Sequence, residues 1–137
     1  MCAAMTEWAL TNFNTVRYHK EYDLLSKLRQ AINDGSGDYF KVLQNLIDDE
    51  IVFLDDVGSG INPEQFQYKD LEWKREILFS FLDYRYNSGL PTVITSNFTK
   101  DQFSKIYSER ICSRLFAKEN LVIGIFDDSL DLRKQGF

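Results

Sequence analysis

The chain has 137 residues, of which 44% are hydrophobic and 15% aromatic, enough apolar material for one globular domain and too much for a disordered chain. Its 16 basic and 21 acidic residues give a formal charge of -5, which excludes a DNA-binding protein with a uniformly basic surface. No segment has the pattern of a signal peptide or a membrane span. Cys2 and Cys112 lack metal-ligand spacing and are interpreted as reduced thiols. We therefore expect a single cytoplasmic domain over residues 1–137.

Hydrophobic spacing predicts alternating helices and strands along the chain. The predicted helices are Met1–Phe13, Tyr22–Ile32, Tyr39–Ile47 with Asp38 as its cap, Leu71–Tyr86 and Lys100–Ala117. The predicted strands are Thr15–His19, Ile51–Leu54, Thr92–Thr95 and Leu121–Phe126, followed by a polar tail, Asp127–Phe137. The unbroken apolar run of the second strand is typical of a strand covered on both faces. The sequence therefore predicts an α/β fold with a parallel sheet.

Two carboxylates, Asp55 and Asp56, directly follow the buried strand Ile51–Leu54. This is a Walker B pattern. In a nucleotide site the first carboxylate helps to hold Mg²⁺, usually through water, and the second polarises the water that attacks the γ-phosphate. Asp55 would take the first role and Asp56 the second. Taken alone, the segment fits equally well a strand end with two acidic turn residues.

The next strand, Thr92–Thr95, also ends in polar residues, with Ser96 and then Asn97. The Asn97 amide could donate to a phosphate oxygen and accept from water without adding charge. Alternatively, Ser96, Asn97 or Thr99 could cap the helix that begins near Lys100, and both interpretations can hold together.

Two arginines, Arg110 and Arg114, are four residues apart in the following helix and so share one face. A guanidinium supplied by a neighbouring subunit can stabilise the charge on a transferring phosphoryl group. The alternative is a solvated helix face with an ion pair to Glu109. Beside the two strand-end patterns we favour the phosphoryl-stabilising role for Arg114 and a supporting one for Arg110.

In order and spacing these segments resemble the DnaC, DnaI and IstB-like branch of the AAA+ ATPases, over nearly the whole chain. The matching segments are Val16–Leu25 for the second strand and its helix, Phe53–Gly58 for Walker B, Thr92–Asn97 for the sensor-1 strand and Tyr107–Leu115 for the arginine-finger segment. The resemblance implies that Asn97 is the sensor and Arg114 the finger, with Arg110 beside it. It places a sensor-2 arginine at Arg133, within Asp128–Arg133.

The resemblance implies a three-layer α/β/α P-loop NTPase fold of the AAA+ or RecA-like kind, with a mostly parallel sheet. It implies ATP and Mg²⁺ as cofactors, with Asp55, Arg110 and Arg133 contacting the nucleotide. The function it implies is ATP-dependent loading of a replicative helicase onto single-stranded DNA during replication. The expected partners are that helicase, single-stranded DNA held weakly or locally, and either a second copy or a full-length homologue.

The chain contains no Gly-x-x-x-x-Gly-Lys-Ser/Thr segment, and Met1–Phe13 resembles the helix that follows that loop in the family. We therefore expect the first strand and the P-loop to be missing, and ATP binding and hydrolysis to be weak or absent. Two alternatives remain open. One is a non-catalytic interaction protein that donates Arg114 to a complete neighbour, and the other is a transposition helper of the IstB kind.

A cluster of Lys69, Lys74 and Arg75, together with Tyr84-Arg85-Tyr86, offers cationic and aromatic groups that could contact a nucleic-acid strand. Core packing and surface solvation are the preferred interpretation of these residues.

Overall fold

The computed structural model describes residues 2–35, 37–118 and 120. In chain order the elements are α1 (Cys2–Asn12), β1 (Val16–Lys20), α2 (Glu21–Asn33), α3 (Tyr39–Ile47), β2 (Ile51–Val57), α4 (Tyr68–Asn87), β3 (Thr92–Ser96), α5 (Lys100–Ile106) and α6 (Glu109–Leu115). The predicted strand Leu121–Phe126, the tail Asp127–Phe137 and Arg133 lie outside the described residues.

The three described strands form one parallel sheet in the order β1-β2-β3. β2 is longer than predicted and runs to Val57, because Lys20 pairs with Asp55 and Val57 pairs with Ser96. The register with β3 shifts between Leu54 and Val57. The two carboxylates therefore belong to the end of the strand rather than to the loop that follows it.

Both faces of the sheet are covered, which confirms the α/β/α layering. Side chains alternate between the faces of a strand, so Val52 and Leu54 enter the main core, which α2 to α6 supply. Ile51 and Phe53 enter a smaller cluster on the other face with Ala9 of α1. The central strand is buried on both sides, as its unbroken apolar sequence predicted.

The predicted helix Lys100–Ala117 is wrong as a single element, since the structure has two short helices there, α5 and α6. Tyr107 ends α5 in an extended conformation, with φ -99° and ψ 165°. The Ser108 hydroxyl then accepts a hydrogen bond from the Ile111 amide at 3.4 Å and caps α6. Thr99, rather than Ser96 or Asn97, caps α5 through a reciprocal pair of hydrogen bonds with Gln102.

Arg85 is one of the most buried residues of the described chain, with 1% of its surface exposed. Its guanidinium makes five hydrogen bonds, to the Thr92 hydroxyl and to the backbone carbonyls of Ile47, Asp49, Glu50 and Pro91. These groups lie at the amino ends of β2 and β3. Core packing is therefore the correct interpretation of Arg85, which is not available to a nucleic-acid strand.

Across the part of the chain that the structure describes, no helix combines the length and the apolar character needed to cross a bilayer.

Candidate functional site

Asp55 is held between the two strands that flank β2. Its carboxylate accepts hydrogen bonds from the hydroxyl of Tyr18 on β1 and the hydroxyl of Thr95 on β3. Two hydroxyl donors on opposite sides restrict the rotation of a carboxylate. The side chain is half-buried, so the carboxylate is fixed at the carboxyl end of the sheet.

Asp56 has a backbone conformation that is uncommon for a residue with a side chain, with φ +61°. In this left-handed region a non-glycine residue carries a strain of roughly 1–3 kcal/mol. The conformation is held on both sides, because the Asp56 amide donates to the Thr95 hydroxyl at 3.0 Å and its carbonyl accepts from the Ser59 amide at 3.1 Å. Thr95 therefore contacts both members of the acidic pair.

Asn97 follows directly after the last paired residue of β3. Ser96 pairs with Val57, and its hydroxyl donates to the Val57 carbonyl at 2.7 Å and accepts from the Phe98 amide at 3.1 Å. The Asn97 side chain is exposed. Since the carboxyl ends of parallel strands meet at one edge of the sheet, the structure brings Asp55, Asp56 and Asn97 to the same edge of two neighbouring strands.

The structure does not bring Arg114 to that edge. Arg114 forms an ion pair with Asp83 of α4 at 2.6 Å, and its guanidinium carbon lies 4.8 Å from the centroid of the Tyr86 ring. The guanidinium carbon of Arg110 lies 3.9 Å from the centroid of the Phe79 ring. Both side chains are thus packed against α4.

The direction of α4 explains this separation. The helix carries the chain from the end of β2 back to the start of β3, so its last turns lie at the amino ends of the strands. Asp83 and Tyr86 are in those last turns, beside buried Arg85. Arg114 therefore faces a part of the molecule remote from Asp55 and Asp56. Within one copy of this chain it does not complete their site.

A magnesium ion fits the donor groups at the sheet edge only in part. Among residues 2–35, 37–118 and 120, no group of three or more His, Cys, Asp and Glu side chains could hold a metal ion. Mg²⁺ in phosphate sites usually takes one or two carboxylates and fills its remaining positions with water and phosphate oxygens. Asp55, with Asp56 next to it, offers a donor set of that kind, which requires a bound phosphate to be complete.

Sequence reasoning missed three residues of this edge: Tyr18, Thr95 and Glu21. Glu21 is 5% exposed, and its carboxylate accepts from the Gly58 amide at 2.5 Å. Burial raises the pKa of Glu21, whereas the Gly58 hydrogen bond and the charge of Lys74 act in the opposite direction. In the sequence Glu21 looks like an ordinary acidic residue in the first turn of a helix, so no local signal indicates its burial.

Comparison with known proteins identifies the family of this chain. The family model described as IstB-like ATP binding protein matches residues 1–133. Among solved structures, the crystal structure of the DnaC helicase loader matches with a TM-score of 0.57 and 23% sequence identity, over 77% of this chain and 58% of that one. The chain thus spans less than two thirds of the loader chain. No curated protein matches it significantly. The scaffold is that of an AAA+ ATPase, and the chain belongs to the family of IstB-like ATP-binding proteins.

Proposed function

We propose that this chain is the nucleotide-responsive part of a helicase-loading ATPase, and that Asp55, Asp56 and Asn97 form one wall of its nucleotide site. The observation that carries the proposal is the Thr95 hydroxyl, which contacts both the Asp55 carboxylate and the Asp56 amide. It fixes two adjacent carboxylates at the end of a central strand, one of them in a left-handed conformation. Strained backbone held by several contacts is typical of functional sites.

Each residue has a separate role in this proposal. Asp55, oriented by Tyr18 and Thr95, would hold Mg²⁺ through water, and the ion would neutralise phosphate charge when bound. Asp56 would accept a hydrogen bond from the attacking water and orient it toward the γ-phosphate. The exposed amide of Asn97 would donate to a phosphate oxygen. Arg133 would contact the same nucleotide.

We expect residues 1–137 alone to release no measurable phosphate from ATP in the presence of Mg²⁺. The sequence contains no Gly-x-x-x-x-Gly-Lys-Ser/Thr segment, so the amides and the lysine that hold the β- and γ-phosphates are not supplied by these residues. A phosphate-release assay on the purified chain, run beside Asp56→Asn, measures this directly. Turnover that Asp56→Asn abolishes would contradict the expectation.

Arg114 is proposed to act in trans, against the nucleotide of a neighbouring subunit. The geometry supports this role because Arg114 is packed near the amino ends of the strands, away from the carboxylates of its own chain. Arg110, stacked on Phe79, would support the helix that presents it. Fixed planar donors suit a transferring phosphoryl group better than a flexible ammonium does.

Mixing the chain with a complete DnaC-type loader tests the role of Arg114. We expect the chain to raise ATP turnover by the mixture, and Arg114→Lys to remove at least about 90% of that increase, since an arginine finger contributes at least about a thousandfold to the rate. The lysine keeps a positive charge beside Asp83, so the fold is maintained. Arg29→Lys is the matched control, because Arg29 stacks on Trp73 elsewhere in the molecule. Equal stimulation by Arg114→Lys and the unsubstituted chain would eliminate finger donation.

The partners belong to the same proposal: a replicative helicase, single-stranded DNA held locally, and a second copy or a complete homologue. We propose that the chain acts in the cytoplasm. A second candidate, help in DNA transposition, is favoured by the IstB-like family model over residues 1–133. Binding of the chain to a purified replicative helicase and to a transposase, measured side by side, distinguishes the two functions.

A further inference from the structure

Glu21 is a buried carboxyl group with unused hydrogen-bonding capacity. It begins α2 and is 5% exposed. One oxygen, Oε2, accepts from the Gly58 amide at 2.5 Å, in the turn that follows Asp56. The other, Oε1, is buried and has no hydrogen-bond partner among the described residues. A buried polar atom without a partner typically costs about 1–3 kcal/mol.

Tyr107 is a second buried polar group of the same kind. It is 2% exposed, and its hydroxyl has no hydrogen-bond partner in the part of the chain that the structure describes. Burial raises the pKa of the Tyr107 hydroxyl, and the nearby Glu21 carboxylate raises it further. The Glu21 carboxylate thus offers an unused acceptor, and the Tyr107 hydroxyl an unused donor. The other charged groups that act on Glu21 are Lys74 of α4 and Asp56 of β2.

The position of Tyr107 gives this pair its importance. Tyr107 ends α5 and directly precedes Ser108, which caps the helix that carries Arg110 and Arg114. A series of aromatic contacts also connects Gly58 to Tyr107. Phe98 packs closely on Gly58, since a Cβ atom there would lie 2.1 Å from the Phe98 ring. The Phe103 ring lies 5.6 Å from that of Phe98 and 5.3 Å from that of Tyr107.

We propose that Glu21 and Tyr107 are positioning residues that connect the turn after Asp56 to the start of α6, with the Tyr107 hydroxyl donating to Glu21 Oε1 through one water molecule. This arrangement provides the partners that both buried groups lack. A displacement of the Asp56–Gly58 turn by a bound phosphate would then reach Glu21 through the Gly58 amide and α6 through Tyr107. This regulation rests on the proposed function, because that function gives Asp56 and Arg114 their roles.

Hydrogen exchange of individual amides tests the connection in the full chain without nucleotide. In Tyr107→Phe, which removes only the hydroxyl, we expect the Gly58, Ile111 and Cys112 amides to exchange about tenfold faster, the effect of losing one net hydrogen bond. The rates are taken relative to Phe53 and Leu54 in the central strand, whose amides report global stability. Tyr22→Phe is the matched control, since Tyr22 is 74% exposed and adjacent to Glu21.

Glu21→Ala provides the second variant. If the hydroxyl acts through the carboxylate, adding Tyr107→Phe to Glu21→Ala changes the Ile111 and Cys112 rates less than about twofold, because coupled residues are not additive. Relative rates in Tyr107→Phe that match those in Tyr22→Phe, or full additivity with Glu21→Ala, would overturn the proposal. The amide rates do not depend on ATP. The connection can therefore fail while Arg114 still stimulates a complete loader, or hold while that stimulation is absent.

Discussion

Replacing Arg85 with methionine is expected to lower the free energy of unfolding by about 3–5 kcal/mol, because several buried acceptors lose a charged donor whose hydrogen bonds contribute about 1.5–3 kcal/mol each. The side chain is 1% exposed, and the carbonyls of Ile47 and Pro91 are among its acceptors. Methionine fills much of the volume but donates no hydrogen bond, so these carbonyls remain buried and unpaired. Urea unfolding followed by circular dichroism measures the change, provided that the slope stays constant.

Arg17→Met is the matched control for this substitution. Arg17 makes one ion pair, with Asp49 at 2.8 Å, and its side chain is 47% exposed. Exposed ion pairs contribute about 0–1 kcal/mol, so the control is expected to change stability little. Arg85→Lys keeps the positive charge but loses the planar set of donors, and an intermediate loss is expected. If Arg85→Met and Arg17→Met had equal effects, Arg85 would not anchor the amino ends of β2 and β3.

Gly58→Ala is expected to cost about 2–4 kcal/mol, combining strain in the left-handed backbone with overpacking. Gly58 has φ +84°, and an added Cβ would lie 2.1 Å from Cε2 of Phe98 and 2.6 Å from its Cζ. The Phe98 ring cannot rotate away freely, because its centroid lies 5.6 Å from that of Phe103 in an edge-to-face contact. The substitution should therefore displace the segment that follows Asn97 as well as the Asp56–Gly58 turn. Urea unfolding again provides the measurement.

Gly60→Ala separates the two contributions. Gly60 has nearly the same backbone angle, φ +82°, but nothing lies within 4 Å of an added Cβ. It therefore experiences the conformational strain without the collision, and a loss of about 1 kcal/mol is expected. The difference between the variants measures the cost of the collision between the added Cβ atom and the Phe98 ring. Equal losses would show that the ring accommodates the added methyl group.

The alternation of helices and strands was readable from the sequence, because hydrophobic spacing and caps are local properties. The run Ile51–Leu54 predicted a strand covered on both faces, and the structure places it at the centre of the described sheet. Asp38 was predicted to cap α3, and its side chain accepts from the Phe40 amide at 2.9 Å. The break at Tyr107 was missed. Phe103, Tyr107 and Ile111 recur every four residues across it, which is helical spacing, so the cap at Ser108 is masked.

The sequence by itself determined that two buried apolar runs are each followed by polar residues, and so it predicted the candidate set Asp55, Asp56 and Asn97. Only the tertiary structure decided what holds them. Thr95 forms a hydrogen bond with Asp55 although 40 positions separate them in the sequence, and Glu21 forms one with Gly58 across 37 positions. Such contacts depend on strand register and on where each crossover helix returns the chain, which local propensity does not encode. For the same reason the sequence left both core packing and surface solvation open for Arg85, and only the carbonyls around its guanidinium decided for the core.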